Sequence, residues 1–231
     1  MRTEQLALVQ GWDDTRVALR RWRRRPLSVL LPWSLGAFAV AVLLLLATYA
    51  VARLVTPDRY DAGFPGFTGP AHLSDFVYVL ERNGLVLALH ALACLAGFMA
   101  GSSLPQVAEG YHGWKRRLHD HAGPAAIAFV GLAVAFSLVT QAWILGHQAA
   151  NLAALARGDV TLLMVGLLPH ALPELTALFL PLAAWTMASR RGAWEDLLAA
   201  TFVTVGVAIP VLVASAWVET YVTPHVLRAL L

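Results

Sequence analysis

His170 and Glu174 are the residues of this chain whose types and spacing come nearest to chemistry. They stand four apart in the run Leu168-Pro169-His170-Ala171-Leu172-Pro173-Glu174-Leu175. On a helix that spacing puts both side chains on one face. An imidazole and a carboxylate side by side can act as base and acid or offer two ligands to a metal. Zinc takes three or four protein ligands, and the chain has no second such pair and no His-Glu-x-x-His. No serine sits in a nucleophile elbow, and Cys94, the single cysteine, has no base in sequence reach. There is no Walker loop and no dinucleotide fingerprint. The expectation is therefore no catalytic residue, no metal and no cofactor: the chain reads as a non-enzyme, with an intramembrane acid–base reaction at His170 and Glu174 as the weakest reading. His112, His119 and His121 lie beside Lys115, Arg116 and Arg117 and read as solvated.

The surroundings of the pair are stranger than the pair itself. Pro169, Pro173 and Pro181 fall in the same apolar run. Each removes a backbone donor and crowds the carbonyl four residues earlier, which frees carbonyls near Val165, Pro169 and Ala177. The segment is thus expected to be kinked or broken around His170 and Glu174. Pro210 could kink a later run in the same way.

Composition says what that apolar run is. Of 231 residues, 58% are hydrophobic and 13% charged, against roughly 45–50% and about 25% in soluble domains. This excludes a disordered, fibrous or disulfide-stapled chain and leaves a polytopic membrane protein. Five stretches reach the roughly 20 apolar residues that a bilayer core needs: about 32–55, 84–104, 123–146, 160–188 and 197–221. They are continuous and do not alternate, which excludes a β-barrel. The fold class expected is all-α, a polytopic integral membrane protein of five transmembrane helices with the fourth kinked or broken by prolines. Residues 32–231 form one five-helix domain, and residues 1–31 a cytoplasmic arginine-rich segment. Leu6 to Arg25 mixes apolar residues with arginines. It is either an amphipathic helix on the leaflet or a solvated tail. The first span exceeds the 7–15 residues of a signal-peptide core and reads as retained. Ser74 to Arg82 reads as an interfacial helix capped by Ser74.

Charge orders the spans. Twelve of the 17 Lys and Arg lie before the first span, between the second and third, and between the fourth and fifth. They include Arg2, Arg16, Arg20, Arg21, Arg23, Arg24 and Arg25, then Lys115, Arg116, Arg117, Arg190 and Arg191. The other side holds Arg53, Arg59, Arg82, Arg157 and Arg228. By the positive-inside rule the N-terminus is cytoplasmic and the C-terminus outside. No basic region outside the spans is large enough to bind nucleic acid. In this direction of travel Asn83, His90, Gln141, His170 and Glu219 all fall on the outer side, with Glu174 near the midpoint of its span. They are expected to form an intramembrane polar cluster that opens outward. A lone histidine such as His90 more often packs between helices than ligates, and Glu219 fits equally well among headgroups.

The run from Leu168 to Leu175 resembles the "LPHG-x-x-EL" motif of the stage II sporulation protein M family, with Ala171 in place of the family's glycine. The ending Trp217-Val218-Glu219-Thr220-Tyr221-Val222-Thr223-Pro224 resembles that family's "IE-x-x-x-TP". Arg82-Asn83 falls where the family tends to carry an asparagine pair. The resemblance covers roughly Asp75 to Leu231. It implies a bacterial inner-membrane protein with no assigned enzymatic activity, similar to a scaffold that anchors peptidoglycan-degrading proteins during engulfment in sporulation. The expected partners are membrane lipids, other cell-envelope proteins and a homo-oligomer. The alternative is a transporter or channel-like protein with an outward-opening site at His170 and Glu174, as in transporters with discontinuous helices.

Overall fold

The computed structural model describes the chain except residues 1–6, 59–63, 68, 104–112 and 157, and the side chains of 7–10, 102–103, 114–124 and 126. The charge and histidine assignments at Arg2, Arg59, Arg157 and His112, and at the side chains of Lys115, Arg116, Arg117, His119 and His121, lie outside the described residues. The described residues are almost entirely helical. In chain order they form α1 (Ala7–Arg23), α2 (Pro26–Leu54), α3 (Leu73–Phe98), α4 (Trp114–Ala156), α5 (Val160–Arg191), α6 (Leu197–Trp217) and α7 (Thr223–Leu230). A π-helical turn, Met99–Ser103, follows α3, and a second, Val218–Val222, joins α6 to α7.

Five segments are long and apolar enough to cross a membrane: Pro26–Leu54, Leu73–Gly101, Ile127–Ala156, Val160–Arg191 and Trp194–Leu230. The chain is a multi-pass membrane protein. Each is longer than the expected span, most of all at the start of the second and the ends of the third and fifth, because a helix continues past the most apolar residues into polar and charged ones. Ser74 to Arg82 shows this. It is not a separate interfacial helix but the opening turns of α3. Its cap is also not Ser74: the Asp75 carboxylate accepts from the His72 backbone N–H at 2.8 Å. Pro26 opens α2, where the missing N–H is harmless.

The fourth span is not broken. Helix α5 runs uninterrupted from Val160 to Arg191 through Pro169, Pro173 and Pro181. Each proline forfeits one donor. In a medium without water every further lost bond would cost several kcal/mol, so the rest of the ladder is kept. Pro210 likewise sits inside an unbroken α6. The π-helical turns fall instead at Met99–Ser103, at the end of the second span, and at Val218–Val222 in the fifth.

The expectation of one transmembrane domain meets a division into two compact units, to both of which every span contributes. Unit 1 comprises Met1–Ala37, Leu87–Val134 and Phe179–Ala208; unit 2 comprises Phe38–Val86, Ala135–Leu178 and Ile209–Leu231. In unit 1, Cys94, Phe98 and Leu197 form a buried core with Trp185, Trp194 and Leu198 against it. The Cys94 thiol donates to the Pro181 carbonyl at 3.1 Å. Helix α1 is present and folds onto this unit. Gly11 lies against Phe98 and Leu198, Trp22 meets Trp33 edge-on at 5.2 Å, and Arg21 pairs with Asp196.

Unit 2 is closed by small residues. Ala52, Ala149, Ala150 and Ala153 pack with Leu152, Leu163, Met164 and Leu227. Gly146 lets α4 approach α2 so closely that a Cβ there would lie 2.5 Å from Val51 Cγ1. Small residues are how membrane helices come into contact without a hydrophobic driving force between them. Asp159 caps α5, its carboxylate accepting from the Thr161 N–H at 2.6 Å. Hydrogen bonds from the Thr161 hydroxyl and backbone, with Arg53 nearby, hold its carboxyl below the ordinary 3.8. Ahead of α3, residues 64–67 form a turn, the Phe67 N–H donating to the Phe64 carbonyl at 3.0 Å, that docks on this unit. Phe64 and Phe67 pack on the core, and the Arg228 guanidinium donates to the Gly66 carbonyl. Gly66 has φ +76°, and a Cβ there would strike Pro224, so only glycine fits this turn.

Candidate functional site: a polar cluster at the end of unit 2

Three elements of unit 2 carry the cluster. Helix α3 brings Arg82 and Asn83, α5 brings His170 and Glu174, and the π-helical turn with the start of α7 brings Glu219, Thr220 and Thr223. The four-residue spacing on unbroken α5 puts His170 and Glu174 on one face, one turn apart. Each then meets a different part of the fifth span. His170 is 6% exposed and Thr223 is 1% exposed, and the two share a hydrogen bond, Nδ1 to Oγ1, of 2.8 Å. Glu174 lies within electrostatic reach of the Glu219 carboxylate and the Arg82 guanidinium, and the Asn83 amide faces it.

The π-helical turn makes this meeting possible. One extra residue per turn shifts the helix face, so that Thr220 and Thr223 are both buried while Glu219 reaches toward Glu174. Such turns recur at functional sites. The cluster is not fully satisfied. Glu174 Oε2, Asn83 Nδ2 and Thr220 Oγ1 are buried without a hydrogen-bond partner among the described residues. Two carboxylates and one guanidinium share the place, and Arg82 also lies over the Tyr78 ring at 5.9 Å.

The two stretches that carry the sequence motifs are thus bonded to each other. Residues 122–224 match the family model of stage II sporulation protein M. The resemblance read from the motifs holds over that stretch, which includes His170, Glu174, Glu219 and Thr223. Asn83 and Arg82 precede the matched residues. Compared with curated proteins and with solved structures, the chain gives no match.

Of the six polar residues expected to gather, four do: His170, Glu174, Asn83 and Glu219. Two fall elsewhere. His90 belongs to unit 1, 1% exposed, with its ring 5.5 Å from that of Phe179. Gln141 donates to Ser137 Oγ at 3.1 Å, one turn back on its own helix. The sequence reading missed Arg82, Thr220 and Thr223 as site residues. Arg82 carried a signal, an arginine next to Asn83 at the head of an apolar run. Among the described residues no group of three or more His, Cys, Asp or Glu is arranged to hold a metal.

Proposed function

We propose that the protein is a non-enzymatic membrane scaffold that organises cell-envelope proteins, with its N-terminus cytoplasmic and its C-terminus outside the cytoplasmic membrane. The observation that carries this reading is the hydrogen bond between His170 and Thr223. It spends the most distinctive residues of the family motif on joining α5 to the end of the fifth span. A buried polar contact of this kind fixes one packing among alternatives and gives a rigid platform at the end of unit 2. The exposed Arg82 supplies a charge beside it for a partner to read.

A second reading, transport of a small solute, is favoured by the unpartnered Glu174 Oε2 and Asn83 Nδ2. The two readings separate on one variant. E174Q keeps the shape of the side chain and removes its charge. The full-length protein and E174Q are purified from native membranes in mild detergent, and the proteins that accompany each are identified. The scaffold reading expects the same cell-wall-remodelling proteins with both. It is overturned if no envelope protein accompanies either form while reconstituted vesicles show a solute flux that E174Q abolishes.

A further inference from the structure

We propose that the turn between α1 and α2 seats one anionic phospholipid. A cavity of about 200 Å³ opens here, lined by Leu19, Trp22 and Arg23 of α1, Pro26 and Leu30 of α2, and Val203 of α6, all within unit 1. Apart from the Arg23 head its walls are apolar. Pro26 is the first residue of the first membrane-crossing helix, so the cavity lies where the chain passes from headgroups into hydrocarbon.

The rim is basic. Arg20, Arg23, Arg24 and Arg25 are exposed, and among the described residues none of them is paired with an acid. Two acids of this region pair with other arginines. Asp196 takes Arg21, and Asp13 takes Arg16. Asp14 faces Glu195, Asp13 and Asp196, and burial and these acids push its carboxyl up. The forked guanidinium suits a phosphate diester. A ligand with an acyl chain for the cavity and a negative headgroup for the arginines satisfies both halves at once. Basic pockets at the ends of membrane helices recognise lipids in this way. Helix α1 adds a second reason. Trp12, Val17 and Leu19 are 50%, 63% and 38% exposed, and an interfacial helix covers such residues with lipid.

The test is native mass spectrometry of the full-length protein in mild detergent, titrated with phosphatidylglycerol and with phosphatidylcholine of the same chains. The first phosphatidylglycerol is expected to bind with a midpoint at least about fivefold lower than the first phosphatidylcholine, since one arginine near the surface contributes about that factor. The triple variant R23Q/R24Q/R25Q alters exposed side chains only and is expected to abolish the difference. V203W, which fills the cavity, is expected to weaken the first site for both lipids. Phosphatidylglycerol with brominated chains is expected to quench Trp22, read as the difference between wild type and W22F. Equal midpoints for the two lipids in the wild type overturn the proposal, as does a preference that survives the triple variant. Absence of Trp22 quenching, or competition by glycerol phosphate as effective as by the whole lipid, overturns the acyl seat.

Discussion

His170 and Thr223 share a side-chain hydrogen bond, and both are buried. Replacing Thr223 with Val leaves the imidazole nitrogen without its bond, which is expected to lower stability by about 1–2 kcal/mol. Interhelical hydrogen bonds in membranes average about 0.6 kcal/mol and reach about 1.7. A double-mutant cycle of H170F and T223V, read by unfolding in mixed detergent, is therefore expected to give a coupling of about 1 kcal/mol. Strict additivity would mean that the contact does not stabilise the fold. The charged members of the cluster were legible in the sequence because ionisable groups are rare at membrane depth. Thr223 was not. A hydroxyl in a span ordinarily bonds the carbonyl one turn back, as Thr140, Thr176, Thr186 and Thr201 do, so its type carries no sign of a partner on another helix. His90 shows the converse. Position along a span gives depth but not which neighbours a side chain meets, and the ring contact of His90 with Phe179 could not be read from it.

At the scale of elements, the five spans were legible because continuous apolar runs leave few alternatives in lipid. Their backbone detail was not. Proline is a local signal and pointed to α5, yet α5 holds. The irregular turn at Val218–Val222 has no proline within it and follows from how the fifth span must meet its neighbours. The approach of α4 to α2 depends in the same way on context, and two glycines of α4 separate it from propensity. A Cβ at Gly146 would meet Val51 and the Thr48 carbonyl, whereas one at Gly131 would meet nothing within 4 Å. G131A is expected to raise stability by about 0.5–1 kcal/mol, as alanine favours helix over glycine. G146A is expected to lower it despite the same propensity gain. Thermal unfolding of the two variants beside wild type checks this, and equal shifts would show that the close approach at Gly146 is not needed.

For the whole molecule, the proposed topology uses the five segments long and apolar enough to cross a membrane to put the two ends of the chain on opposite sides. Cys94 is buried and its thiol is held at Pro181, so labelling by impermeant maleimide in intact cells should report introduced cysteines alone. S28C is expected to stay unlabelled until the membrane is opened, and H225C to react at once. The reverse result would invert the proposed orientation, and labelling of both would refute an odd number of crossings. The π-helical turn bears on the whole chain end in another way. A helix advances by about 100° per residue, so the additional residue in that turn sets the angular phase of everything after it. Thr223, Pro224 and Leu227 are buried only in that phase. A one-residue deletion within Val218–Val222 would hardly shorten the span, but it would turn the whole C-terminal helix like a key out of its notch. The length of this short stretch is therefore held as tightly as the identity of any residue in it.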